Sequence, residues 1–133
     1  MTAVKEEEKK YSFSEYIELE KQTNERYELF YGEVFNLAGG TLKHNMLSSI
    51  TANVLQNKLT KENCFAFIND VKLQLDENQF YVYPDVVVTC DKDDLADKSN
   101  TIIRNPIVIV EVLSDSTSEY DRNTKKNNYL KLK

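Results

Sequence analysis

Apolar residues recur along this chain with two periods, and the points where the period changes mark its elements. Behind Ser12 and Glu15, which have capping-box spacing, Phe13, Tyr16 and Ile17 fall at helical intervals and predict a short helix over about 13–22. Arg26 to Leu37 reads as a strand pair or a single bent strand, with Gly32 as the turn or bulge signal. Gly39-Gly40 breaks the chain before a second helix, roughly 43–60. In it Met46, Leu47, Ile50, Val54 and Leu55 form one stripe, extended by Leu59, while Ser48, Asn53, Gln56 and Lys58 fall largely on the other side. This pattern predicts a helix packed on the core through its apolar stripe.

Beyond it the period shortens to two. Val71, Leu73 and Leu75 alternate at the end of a strand over Phe65–Leu75, and Asp76-Glu77-Asn78 is the hairpin turn into a strand over Phe80–Cys90. Asp91 to Asn100 reads as an acidic, Lys-dotted loop or short helix. Ile107 to Leu113 reads as the most buried strand, and Asp121 to Leu132 has helical character after a polar turn. The order helix, strand or strands, helix, three strands, helix is an α/β fold of the α+β type. Residues 1–11 read as a charged, solvated tail and residues 12–133 as a single domain.

Composition narrows the partners. A net charge of −5 supplies no bulk attraction for nucleic acid, so any such binding must rest on a local patch or a bound cation. Cys64 and Cys90, both beside apolar residues, argue against a disulfide framework and for a reducing, cytoplasmic compartment. Met1 to Lys10 has no apolar stretch of the kind a secretory leader carries, and the run ending at Leu113 is too short to cross a bilayer, so no membrane role is expected.

The chemistry concentrates in two acids. Asp85 in Tyr83-Pro84-Asp85-Val86-Val87-Val88 and Glu111 in Pro106-Ile107-Val108-Ile109-Val110-Glu111 each interrupt an apolar strand. A carboxylate there is costly to desolvate unless a partner or a cation meets it. If the strands are neighbours, Asp85 and Glu111 lie side by side at one end of a sheet, as two hard oxygen ligands suited to Mg²⁺ or Mn²⁺. The competing reading leaves both acids in solvent or paired with Lys72 and Arg104. Lys125, one turn into the last helix, can face the end of the last strand and support an attacking water or developing negative charge. With Lys126, Lys131 and Lys133 beside it, it can equally be one more cation near a helix end. His44, the only histidine, opens the second helix. Glu28 and Glu33 flank Gly32, and Glu33 could reach a metal from outside the core sheet. Tyr81 and Tyr83 share the face of Asp85 on an unbroken strand, where covering the sheet is the simpler role than stacking on bases.

These motifs resemble one family. Tyr27-Glu28-Leu29-x-x-Gly32-Glu33, His44 opening a helix, Tyr83 to Val88, Asn105 to Ser114, and Ser116-Thr117-x-x-Tyr120-Asp121-x-x-x-Lys125-x-x-x-Tyr129 match in order over about residues 12–132 the Uma family of putative restriction endonucleases. That family is similar to the PD-(D/E)XK nucleases. The resemblance implies a restriction-endonuclease-like core with a mixed central sheet flanked by helices, here lacking the last core strand or strands. It also implies that Asp85 and Glu111 bind Mg²⁺ or Mn²⁺ with the Val112 carbonyl as a further ligand. The superfamily's lysine position is Leu113 in this chain, which moves the basic role to Lys125. Asp121, Tyr129 and His44 match family positions without an assigned role. The implied activity is metal-dependent hydrolysis of DNA phosphodiesters. The alternative is a catalytically inactive nuclease-fold module that binds nucleic acid or a protein, and a homodimer through the exposed C-terminal edge accompanies either.

Overall fold

The computed structural model describes residues 2–5, 9–113 and 120–132. In chain order the elements are β1 (Thr2–Lys5), α1 (Phe13–Thr23), β2 (Tyr27–Phe30), β3 (Glu33–Ala38), α2 (Leu42–Leu59), β4 (Phe65–Ile68), β5 (Lys72–Asp76), β6 (Phe80–Val82), β7 (Val86–Thr89), α3 (Lys92–Leu95), β8 (Ile102–Ile103), β9 (Pro106–Val110), a π-helical turn over Tyr120–Lys125 and α4 (Lys126–Tyr129). Both parallel and antiparallel strand pairs occur, so the fold is mixed α/β. The chain groups into two compact units, each built from separate stretches of sequence.

The first unit comprises Met1–Thr41, Leu75–Val82 and Leu113–Lys133. Its strands lie in the order β1-β3-β2-β6, all antiparallel, so Thr2–Lys5, expected as tail, pairs along β3. β2 and β3 are joined by Tyr31-Gly32, both at positive φ (45° and 90°), the geometry of a two-residue hairpin turn that follows the twist of its strands. α1 starts on a complete capping box: Ser12 Oγ accepts from the Glu15 N–H, and Glu15 Oε1 accepts from the Ser12 N–H. Tyr16 fastens the helix to the sheet. It is fully buried, stacks on Tyr81, and donates its hydroxyl to the Tyr27 carbonyl at 2.6 Å. Because Leu29 and Tyr81 are cross-strand partners, α1 covers the face that carries them, and Glu28 points to the opposite face.

The second unit comprises Leu42–Gln74 and Tyr83–Val112. β4, β7 and β9 form an antiparallel sheet with β7 in the middle, and the first residues of β5 run parallel to β8. Paired on both sides, the Val-Val-Val-Thr run of β7 is buried along its whole length.

Several expectations change here. The strand expected over Phe80–Cys90 is two strands, because residues 83–85 around Pro84 leave extended pairing; Tyr81 and Asp85 therefore share no continuous face. The strand expected over Phe65–Leu75 is also two, broken at Asn69, which takes a positive φ of 48°. The most buried strand is β7, not β9. β9 pairs only with β7 among the described strands, and Ile107 is 57% exposed. Cys64 and Cys90 are bonded to each other across the ends of β4 and β7, with Cα atoms 4.1 Å apart, where free thiols were expected.

The largest reversal is α2. Most of its apolar stripe faces outward: Met46, Leu47, Ile50 and Val54 are exposed, while Leu55 and Leu59 are half-buried. The buried positions are His44 and Ser48. A hydrogen-bonding demand decides the orientation. Gln56 donates to the Cys64 carbonyl while accepting from the Ala66 N–H at the start of β4, and His44 lies 3.2 Å from the Asp85 carboxylate. Gln56 satisfies backbone groups that an apolar side chain could not, while Asn53 and Lys58 of the expected polar side are exposed.

Candidate active site

Within the second unit the β7–β9 register pairs Val86 with Val110, so Asp85 and Glu111 are the next residues beyond the same end of that pair. Asp85 follows the Pro84 break and is 2% exposed. Its Oδ2 accepts the Val112 N–H at 2.7 Å, and His44 Nε2 lies 3.2 Å from the same oxygen. Three sequence-derived candidates thus meet at one carboxylate. α2 supplies the histidine from its first turn, β9 supplies the amide just past its end, and the break before β7 supplies the acid. Val112 enters this contact through its N–H. Glu111 is half-buried beside it in sequence. The Val112 N–H, a donor to Oδ2, helps fix the orientation of the Asp85 carboxylate.

The same unit holds Lys72, which the sequence offered only as a possible partner of the acids, and Asp94, which it did not single out. The Lys72 ammonium, on a buried side chain, lies 5.6 Å from the centre of the Tyr83 ring, two residues before Asp85. Asp94 is buried and structural. It accepts from the Thr89 hydroxyl and from the backbone N–H groups of Arg104 and Asn105, which ties α3 to the ends of β7 and β9. A mostly apolar cavity of about 340 Å³ adjoins it, lined by Phe65, Phe67, Val71, Leu95 and Ile103 among others.

In the first unit, Lys125 at the end of the π-helical turn places Nζ 3.1 Å from Glu28 Oε2, and both side chains are buried. Glu33 lies toward the surface of β3 and pairs with Lys10 at 3.2 Å. Its carboxylate thus serves a surface ion pair. Tyr129 is half-buried in α4. Asp121 lies in the π-helical turn, and its side chain is outside the described residues. Among the described residues no three His, Cys, Asp or Glu side chains gather as a metal-binding group. No helix among them is long and apolar enough to cross a membrane.

Comparison with known proteins adds identity to this geometry. A family model described as "Uma2: Putative restriction endonuclease" matches residues 13–133. Two proteins of Synechocystis sp., both described as uncharacterised, are similar to the chain. One (slr1290) is 38% identical over 116 residues, covering 87% of this chain and 60% of its own length. The other (sll1609) is 33% identical over 112 residues, covering 84% of this chain and 63% of its own length. The chain thus spans about three fifths of the length of these relatives. A crystal structure of a "putative nuclease belonging to DUF820" from Anabaena variabilis shares the fold at a TM-score of 0.66 and 19% identity, covering 88% of this chain and 65% of that one.

Proposed function

The chain belongs to the Uma2 family, described as putative restriction endonucleases, and on that premise we propose that it hydrolyses phosphodiester bonds of DNA with a divalent cation, Mg²⁺ or Mn²⁺. The observation that carries the reading is the Val86–Val110 register, which leaves Asp85 and Glu111 beyond one end of the same strand pair. The donor set fits such an ion. Mg²⁺ is held by one or two carboxylates and keeps several waters, so two acids with the Val112 carbonyl suffice without a three-side-chain cluster. When bound, the ion lowers the pKa of a bound water and offsets charge on the scissile phosphate.

The remaining work falls to residues of the chain. His44 and the Val112 N–H orient the Asp85 carboxylate through its Oδ2. Lys125 keeps the role of a candidate cation for developing negative charge, with its ammonium held on Glu28 within the first unit. The test is plasmid nicking across a metal series, with Asp85→Ala and Glu111→Ala compared against wild type and folding monitored by circular dichroism. Metal-dependent nicking that falls at least about 100-fold in either variant is expected. A nuclease-free preparation of folded wild type that nicks nothing with any divalent ion would refute the proposal.

A second reading is a catalytically inactive module that binds nucleic acid or a protein, in which Asp85 with His44 and the Val112 N–H persists as a polar network only. It predicts duplex retention with a steep negative salt dependence and no cleavage. A chain that neither cleaves nor retains DNA leaves the protein-binding form of this reading, in which a homodimer through the C-terminal edge is the nearest partner to examine by sedimentation.

A further inference from the structure

We infer that the cavity beside α3 is a binding site for a small, neutral, flat aromatic molecule of one or two fused rings. The cavity lies within the second unit, and Phe65 on its wall pairs with Thr89, at the opposite end of β7 from Asp85. None of its lining residues is among those proposed for catalysis, so the inference holds whether or not the chain cleaves DNA.

Volume and walls come first. Close-packed proteins leave few spaces larger than a water molecule, and this one is about 340 Å³. An apolar cavity of about 150 Å³ takes benzene, so two fused rings fit here. Phe65 and Phe67, two residues apart on β4, point to one face of that strand and both line the cavity. Val71, Leu95 and Ile103 complete an apolar wall. An aromatic guest against phenyl rings gains more than its buried area alone returns, which a saturated guest does not.

The polar groups at the cavity are engaged already, and they hold its shape. Asp94 accepts from the Thr89 hydroxyl and from the N–H groups of Arg104 and Asn105. Asn100 donates its amide to the carbonyls of Asp94 and Ile102 and accepts the Ile102 N–H. Asp91 caps α3 by accepting the N–H groups of Asp93 and Asp94. These bonds pin α3 and the segment leading to β8 as one wall of a preformed site, the usual state of small-molecule pockets. With Asp94 and Asn100 so engaged, a nucleobase would give up water along its hydrogen-bonding edge with nothing from them in return. Asp97 and Lys98, both exposed, add opposite charges, which favours a neutral guest.

The test titrates naphthol into the whole chain, followed by amide-resolved NMR, with the fully saturated analogue decalol as the comparison. Saturable shifts at the amides of Phe65, Phe67, Leu95 and Ile103 are expected, with a Kd below about 1 mM. Decalol should bind at least about threefold more weakly. Val71→Phe, which fills the cavity, should weaken naphthol at least about tenfold. Phe65→Leu should remove most of the preference for naphthol over decalol. Phe65 is 46% exposed, so this variant folds and keeps the test decisive if Val71→Phe does not. No saturable shift at these amides overturns the inference, as does a folded Val71→Phe that binds like wild type. Equal binding of the two alcohols overturns the aromatic assignment. Shifts at these amides that follow protein concentration without any alcohol give the cavity to a second copy of the chain, and they overturn it too.

Discussion

Glu15 shows how much one surface residue can be asked to do. The Ser12 backbone N–H that it accepts, followed by the Lys9 ammonium 3.0 Å away, holds its carboxyl below the ordinary value of 4.5. A carboxyl depressed in the folded state contributes stability that is complete above its unfolded value and lost as the pH falls through the folded one. Glu15→Gln can keep the capping hydrogen bond but has no charge to lose. Wild type should therefore be more stable than Glu15→Gln at neutral pH, and the difference should fade as the pH falls below the ordinary value of 4.5 and through the lower folded-state one. Urea unfolding followed by circular dichroism over a pH series measures it, and a difference independent of pH would remove the charge from the account. This site was legible in the sequence because a capping box is local, with both partners three residues apart. His44 was not legible in the same way. A lone histidine at a helix start says nothing of the acid 41 residues on that lies 3.2 Å from its ring. Only its match to a family position marked it.

At the scale of elements, local signals were read well and choices between partners were not. The ends of α1 and α2 and the Tyr31-Gly32 turn follow from caps, periodicity and positive φ. The two acids were found because each interrupts a run of valines and isoleucines, and the register that brings them to one end of β7 and β9 follows from those same runs. By contrast, Pro84 sits inside what alternation alone reads as one strand, and its missing N–H separates β6 from β7. The disulfide is a similar case, since cysteines 26 residues apart carry no sign of adjacency until β4 and β7 pair through Phe65 and Thr89. Closing a loop of that length restricts the unfolded chain, so reduction should lower stability by about 2–4 kcal/mol. Denaturant unfolding with and without a reducing agent, with Cys64→Ser/Cys90→Ser as the control, gives the value. An unchanged midpoint on full reduction would mean that the bond adds nothing beyond the β4–β7 ladder.

Over the whole molecule, the usual inference from pattern to core fails where hydrogen bonding outranks apolar area. A stripe of Met46, Leu47, Ile50 and Val54 is the sequence signature of a buried helix face, and in α2 it is the outer one. Periodicity fixes that a helix has two faces. Which one packs depends on what the neighbouring strands need, and here the start of β4 and the Asp85 carboxylate engage Gln56 and His44. The cost is an apolar surface on a chain of net charge −5, uninterrupted by any charged residue between Lys43 and Lys58. Net charge keeps such a chain dispersed, whereas contiguous exposed apolar side chains favour association and dye binding. Ile50 is 54% exposed, so Ile50→Glu should change unfolding free energy by no more than about 0.5 kcal/mol, as surface substitutions do. It should also lower the fluorescence of an apolar dye such as anilinonaphthalene sulfonate. Ser48→Leu, on the buried side, should cost more than about 1 kcal/mol through overpacking. If instead Ile50→Glu proved the costlier of the two, the stripe would be packed in solution and the orientation of α2 would be the reverse of that described.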